Sequence, residues 1–146
     1  MQDQLMQAVL LSHAAATWFM VGLIWFVQVV HYPLMGAVPA EGFREYERRH
    51  QRLTTWVVGP VMGVEALAAT LLAIVPPSSG VFDALRWLGV GLLAIIWLST
   101  IVAQMPLHAA LSRGFDPAMW RRLVLSNWIR TAAWSARGIL ASLMLS

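Results

Sequence analysis

The chain has 146 residues, 59% of them hydrophobic and only 12% charged, with a net charge of +3; a soluble domain carries about twice that charged share, so this reads as an integral membrane protein without a separate soluble domain. No cysteine is present, which excludes a disulfide framework, thiolate haem ligation, iron–sulfur clusters and thiol redox chemistry. All basic residues are Arg, and the modest net charge, with no interleaved basic and aromatic surface, excludes nucleic acid as a partner.

Four apolar runs, residues 5–30, 53–75, 85–104 and 123–145, each approach the roughly 20 residues that an α-helix needs to cross the hydrocarbon. The first carries His13, Thr17, Gln28 and His31 at helical spacing. It has no basic residue before it and is too long for a signal peptide, so it is expected to be a mature helix. Tyr32-Pro33 and then Pro39 are expected to end it. From Gly42 the pattern turns helical again through Phe43, Tyr46 and Leu53, which predicts an interfacial helical turn leading into the second span. That stretch presents Glu47, His50, Thr54 and Glu65. Within it, Pro60 predicts a kink, and the Gly59/Gly63 pair predicts close approach of another helix. Pro76-Pro77-Ser78-Ser79-Gly80 reads as a short outside turn. The third run offers Trp97, Thr100, Gln104 and His108. Asp116-Pro117 reads as an N-cap followed by Pro at the first helical position, and the fourth helix offers Trp120, Asn127, Arg130, Trp134 and Arg137. Short connections make sequential helices antiparallel neighbours, so the expected fold is an all-α, up-down four-helix membrane bundle with a polar interior.

Arg44, Arg48, Arg49 and Arg52 lie in the first connection and Arg113, Arg121 and Arg122 in the third, against Arg86 alone in the second. This bias predicts a multi-pass protein with both termini outside and His31, His50 and His108 near the cytoplasmic face.

Two polar layers follow. In the cytoplasmic one, His31, Glu47, His50 and His108 come together, with Gln104, Asn127 and Arg130 beyond them. Glu47-x-x-His50 has the spacing that places a carboxylate and an imidazole side by side on a metal within helical bundles, and imidazole and carboxylate without thiolate suit Fe, Cu or Zn. Headgroup-zone side chains bonded to lipid phosphates give the same composition. In the deeper layer, about 22 Å of helix rise separates His50 from Glu65 and about 27 Å separates His31 from His13, so His13 and Glu65 reach similar depth. Arg137 comes within reach of Glu65. The pair either fixes helix register or forms a site in which Glu65 is a base, Arg137 an anion partner and His13 a ligand or proton carrier. Trp97, Trp128 and Trp134 either pack the bundle or line a planar cofactor. Met20, Met62 and Met105 are either filler or soft ligands.

His13 with Thr17-Trp18-Phe19 and Gly22-Leu23, then Phe43-x3-Glu47-Arg48-Arg49-x2-Arg52 ahead of Pro60-x-Met62, resembles the bacterial membrane protoporphyrinogen IX oxidase. The likeness covers the first half of the chain, and Arg122-x4-Asn127-x2-Arg130-Thr131 echoes that family's later polar motif. The family is a small multi-helix protein that binds haem b and oxidises a porphyrinogen without flavin. The resemblance implies a bacterial inner membrane, His13 as a haem ligand and Glu47-Arg48-Arg49 as a propionate contact.

Three functions stand open. The first is a haem-binding or porphyrin-handling redox protein, with haem b against His13, Arg130, Trp97 and Trp134. The second is a non-haem Fe, Cu or Zn oxidoreductase built on His31, Glu47, His50 and His108. The third is an accessory subunit or small transporter whose polar stripe is a helix interface or substrate path. The expected partners are the lipid bilayer, a small apolar or porphyrin substrate, and a second copy or larger membrane complex.

Overall fold

The computed structural model describes residues 2–75 and 80–145, which form four helical rods in up-and-down order. Rod α1 comprises Gln2–Phe26, a π-helical turn Val27–His31 and Tyr32–Met35; α2 is Ala40–Ile74; α3 comprises Gly80–Ser99, a π-helical turn Thr100–Gln104 and Met105–Leu111; α4 is Pro117–Leu143. The turn expected around residues 76–79 lies outside the described residues. α1 packs against α2 and α4, and α3 against α4, while the α2–α3 side is the thinnest contact. The Gln2 end of α1 and the Leu143 end of α4 lie at one end of the bundle, called here the terminal end, and the 36–39 and 112–116 connections lie at the other, called here the loop end.

Tyr32-Pro33 does not end the first helix, contrary to expectation. A proline inside a helix lacks an N–H and its ring crowds the carbonyl four residues back. The chain accommodates Pro33 and Pro106 in the same way, by widening the preceding turn: Tyr32 N–H bonds to Val27 O and Met105 N–H to Thr100 O, each five residues back. Such π turns insert one residue and re-aim the side chains beyond them. The two X-Pro-Leu segments thus repeat one device in α1 and α3.

The expected interfacial turn and second span merge into the single 35-residue helix α2, with Pro39 at its N-cap and Pro60 inside it. Gly59 and Gly63 meet nothing within 4 Å. The close helix approach expected there is therefore absent among the described residues, because both glycines lie on the exposed side of the helix. Asp116 caps α4 as expected: its Oδ1 accepts from Ala118 N (2.8 Å) and Met119 N (3.1 Å), with Pro117 at the first position.

Rods 4–35, 40–74 and 82–111 are long and apolar enough to cross a membrane, which makes this a multi-pass membrane fold. α4 falls below that average because its inner face carries Asn127, Arg130, Thr131 and Arg137, all buried. Its outer face is apolar: Leu125, Trp128, Ile129, Ile139 and Leu143 are exposed. The helix is amphipathic with its polar side inward, the reverse of a soluble bundle.

Apolar packing fills two levels. Met20, Ile24, Met62, Ile96 and Trp134 form one, and Tyr32, Met35, Phe43, Leu111 and Leu123 form the other, at the loop end. Between lipid-facing helices such contacts act through close packing rather than water exclusion. Of the glycines, Gly36 is the most closely packed, since a Cβ there would stand 2.7 Å from the Trp120 ring.

Candidate functional site

Toward the terminal end, all four rods converge on Glu65. Its Oε1 accepts from Thr17 Oγ1 (3.0 Å) and Arg137 Nε (2.9 Å), and its Oε2 from Trp134 Nε1 (3.1 Å). Arg137 also donates through Nη1 to Gly89 O and meets His13 Nε2 at 3.1 Å through Nη2. The depth matching of His13, Glu65 and Arg137 holds, and the Glu65–Arg137 pair is present with both side chains essentially inaccessible. A carboxylate holding three donors is well satisfied, so the pair locks α2 to α4 and, through Thr17 and Gly89, to α1 and α3. His13 Nδ1 is buried without a partner. It lies beside a cavity of about 10 Å³ lined by His13, Arg86, Gly89, Arg137 and apolar side chains, room for one water. Organic ligands occupy roughly 300–1,000 Å³.

The middle of the bundle holds a second set. Asn127 donates to Gln28 Oε1 (2.8 Å), Gln28 to Val124 O (3.2 Å), and Arg130 Nη1 to Asn127 Oδ1 (3.2 Å). The Arg130 guanidinium lies 5.1 Å from the Trp134 ring centroid. Arg130 keeps only 8% of its surface accessible, and its Nε has no partner. Among the described residues it forms no ion pair: the pairs are Arg48–Glu45, Arg86–Asp83, His108–Glu47 and Arg137–Glu65.

At the loop end the four expected residues do come together. Glu47, fully buried, holds His108: Oε1 lies 2.6 Å from His108 Nδ1. Gln51 Nε2 reinforces the clamp, donating to Glu47 Oε1 and to His108 O, each at 3.0 Å. The other nitrogen, His108 Nε2, faces the Tyr32 hydroxyl at 3.2 Å, and that hydroxyl donates to Gln104 Oε1 at 3.4 Å. His50 Nδ1 is 3.1 Å from Thr54 Oγ1. The His50 ring stacks on His31 with centroids 4.4 Å apart and lies 5.3 Å from His108, while Tyr46 stacks beside His31 and His50. Two buried atoms here have no partner, His31 Nε2 and Glu47 Oε2. Among the described residues no group of three or more His, Asp or Glu side chains is placed so that it could hold a metal ion.

α2 supplies Glu47, His50, Gln51 and Thr54 at spacings of three and four, one helical face. The π turns supply the rest, by bringing His31 and Tyr32 inward from α1 and Gln104 and His108 from α3. Trp97 joins neither layer: it is 39% exposed, and its neighbour Ile96 is buried instead. Its expected place beside Trp134 assumes an unbroken α-helix, and the π turn at Thr100–Gln104 shifts that projection by about one residue. Tyr32, Tyr46, Gln51 and the Gly89 carbonyl are members that spacing does not reveal. Only the X-Pro dipeptides hint at Tyr32.

Comparison with family models, curated proteins and solved structures returns no match. The likeness to the porphyrinogen oxidase therefore rests on the quoted residues alone.

Proposed function

We propose that this chain is a membrane metalloprotein of oxidoreductase type that holds one transition-metal ion at the loop end, with His31, His50 and His108 as ligands and Glu47 as the group that orients His108. The observation that carries the reading is the gathering of three imidazoles from three rods, two of them fixed through Nδ1 by Thr54 and Glu47. A carboxylate on one imidazole nitrogen is the usual support for a metal on the other. With metal–nitrogen bonds of about 2.0–2.1 Å, two imidazoles on one ion stand with ring centroids roughly 4.5–5.2 Å apart, close to the 4.4 and 5.3 Å separations here. Imidazole without thiolate favours Fe, Cu or Zn. The haem reading draws less support, since the space beside His13 is water-sized.

The metal lies on the cytoplasmic side of a bacterial inner membrane, because the Arg-bearing connections mark that side. α4 is the fourth span, lipid-facing along Leu125, Trp128, Ile129 and Ile139. Protein expressed with iron, copper and zinc and purified in detergent should hold about one metal per chain by elemental analysis, lost in His50→Ala and His108→Ala variants that remain folded. Metal content equal in wild type and variants overturns the proposal. A Soret band that disappears on replacing His13 puts haem in its place.

A further inference from the structure

The back of α2, opposite the face that carries Glu47 and Glu65, is exposed from Glu45 to Ile74. The helix has 35 residues, and its apolar stretch 53–74 alone rises about 32 Å, which matches the ~30 Å hydrocarbon of a bilayer. The turns before it, 40–52, therefore stand at the level of the lipid phosphates. Positive charge gathers there. The loop end exposes seven arginines, four within 44–52 and three within 113–122, against the exposed carboxylates of Glu41, Glu45 and Asp116. Glu45 is taken by Arg48 at 3.0 Å, and Asp116 caps α4. Arg49 and Arg52 form no ion pair among the described residues. Three positions apart, they are neighbours on the helix surface, and two guanidinium forks side by side match the oxygens of one phosphate.

The same stripe continues into the hydrocarbon. Trp56, one turn beyond Arg52, is 75% accessible, the most exposed of the eight tryptophans. Gly59, Pro60 and Gly63 follow, and a Cβ at either glycine would meet nothing within 4 Å. Over about 16 Å of helix rise from Arg52 to Gly63, the surface passes from cationic, through an amphipathic ring suited to the membrane interface, to a shallow trough without long side chains. We infer that this outer face of α2 binds one anionic phospholipid of the loop-end leaflet, with its phosphate on Arg49 and Arg52, its glycerol region against Trp56 and an acyl chain in the trough. Charge complementarity favours a lipid over a second copy of this chain: parallel α2 helices paired across the two glycines would bring the arginines of both copies together in one leaflet, and like charges oppose such pairing. The site lies on the opposite face of α2 from the proposed metal site, so each stands or falls without the other.

Native mass spectrometry of the full-length protein in detergent tests this, with phosphatidylglycerol, phosphatidylcholine of the same acyl chains and inorganic phosphate titrated separately and in competition. Wild type should bind phosphatidylglycerol roughly 10–30-fold more tightly than phosphatidylcholine, as two basic side chains at a lipid surface imply, and inorganic phosphate should not displace it. Arg49→Gln with Arg52→Gln should bring the two lipids within about threefold of each other. Arg121→Gln with Arg122→Gln, which removes the same charge from α4, should keep the preference. Gly59→Leu with Gly63→Leu, which fills the trough, should weaken both lipids and leave their ratio unchanged. All these positions are exposed, so each variant should unfold at the wild-type temperature. Equal binding of the two lipids by wild type, a preference lost alike in the α2 and α4 arginine variants, or displacement by inorganic phosphate overturns the site. A wild-type dimer that the glycine variant converts to a monomer with no loss of lipid binding gives the trough to a second copy and overturns the lipid placement.

Discussion

Replacing Glu65 or Arg137 alone should be among the most damaging changes in the chain, and replacing both should be much less damaging than the sum. Glu65→Gln leaves the Arg137 cation with only His13 Nε2 and Gly89 O. Arg137→Met leaves the carboxylate with the Thr17 hydroxyl and the Trp134 indole. Stranding either buried charge costs about 3–5 kcal/mol. The double variant has no charge at this depth, and the amide oxygen introduced at position 65 would still accept from Thr17 or Trp134, so its loss should fall near one or two unmade hydrogen bonds, about 1–3 kcal/mol each. Neutral hydrogen bonds between membrane helices average only about 0.6 kcal/mol; a coupling above about 2 kcal/mol is thus the signature of the charges. Thermal unfolding in detergent, followed by tryptophan fluorescence, should place each single variant roughly 6–20 °C below wild type and the double variant well above that. Additive losses in the double variant refute the pairing as an energetic unit.

Two further outcomes follow from the fold. Gly36→Ala puts a Cβ 2.7 Å from a Trp120 ring that its own indole N–H ties to Tyr32 O at 2.9 Å, so overpacking should cost about 1–3 kcal/mol; Trp120→Phe in the same chain should relieve part of it, and an unchanged unfolding temperature in Gly36→Ala contradicts the packing described. Because the chain is free of cysteine, single introduced cysteines report topology: Ala37→Cys and Arg113→Cys should resist a membrane-impermeant maleimide applied from outside, Gln4→Cys should react, and the opposite pattern reverses the orientation drawn from the Arg bias.

The bundle and its polar interior were legible because polar side chains recur at helical spacing in every apolar run, and helix rise alone put His13, Glu65 and Arg137 at one depth. That projection failed wherever the helix stopped being α. In α3 the buried series Gly89, Leu93 and Ile96 continues at α-helical spacing toward Ala103 and Ala110, yet the structure buries Gln104 and Leu111, each one residue later. The same slip turns Trp97 outward and, in α1, brings Tyr32 in beside His31. A proline in a membrane helix therefore carries more information than a break. It marks the point at which the inward stripe must be recounted, and here both recounted stripes end at His108. What no spacing conveys is the balance of charge. Glu47 and Glu65 both lie within the bundle, and each could have been assigned to Arg130 on composition. Only the contacts show Glu65 taken by Arg137 and Glu47 taken by His108, which leaves Arg130 buried without a carboxylate among the described residues.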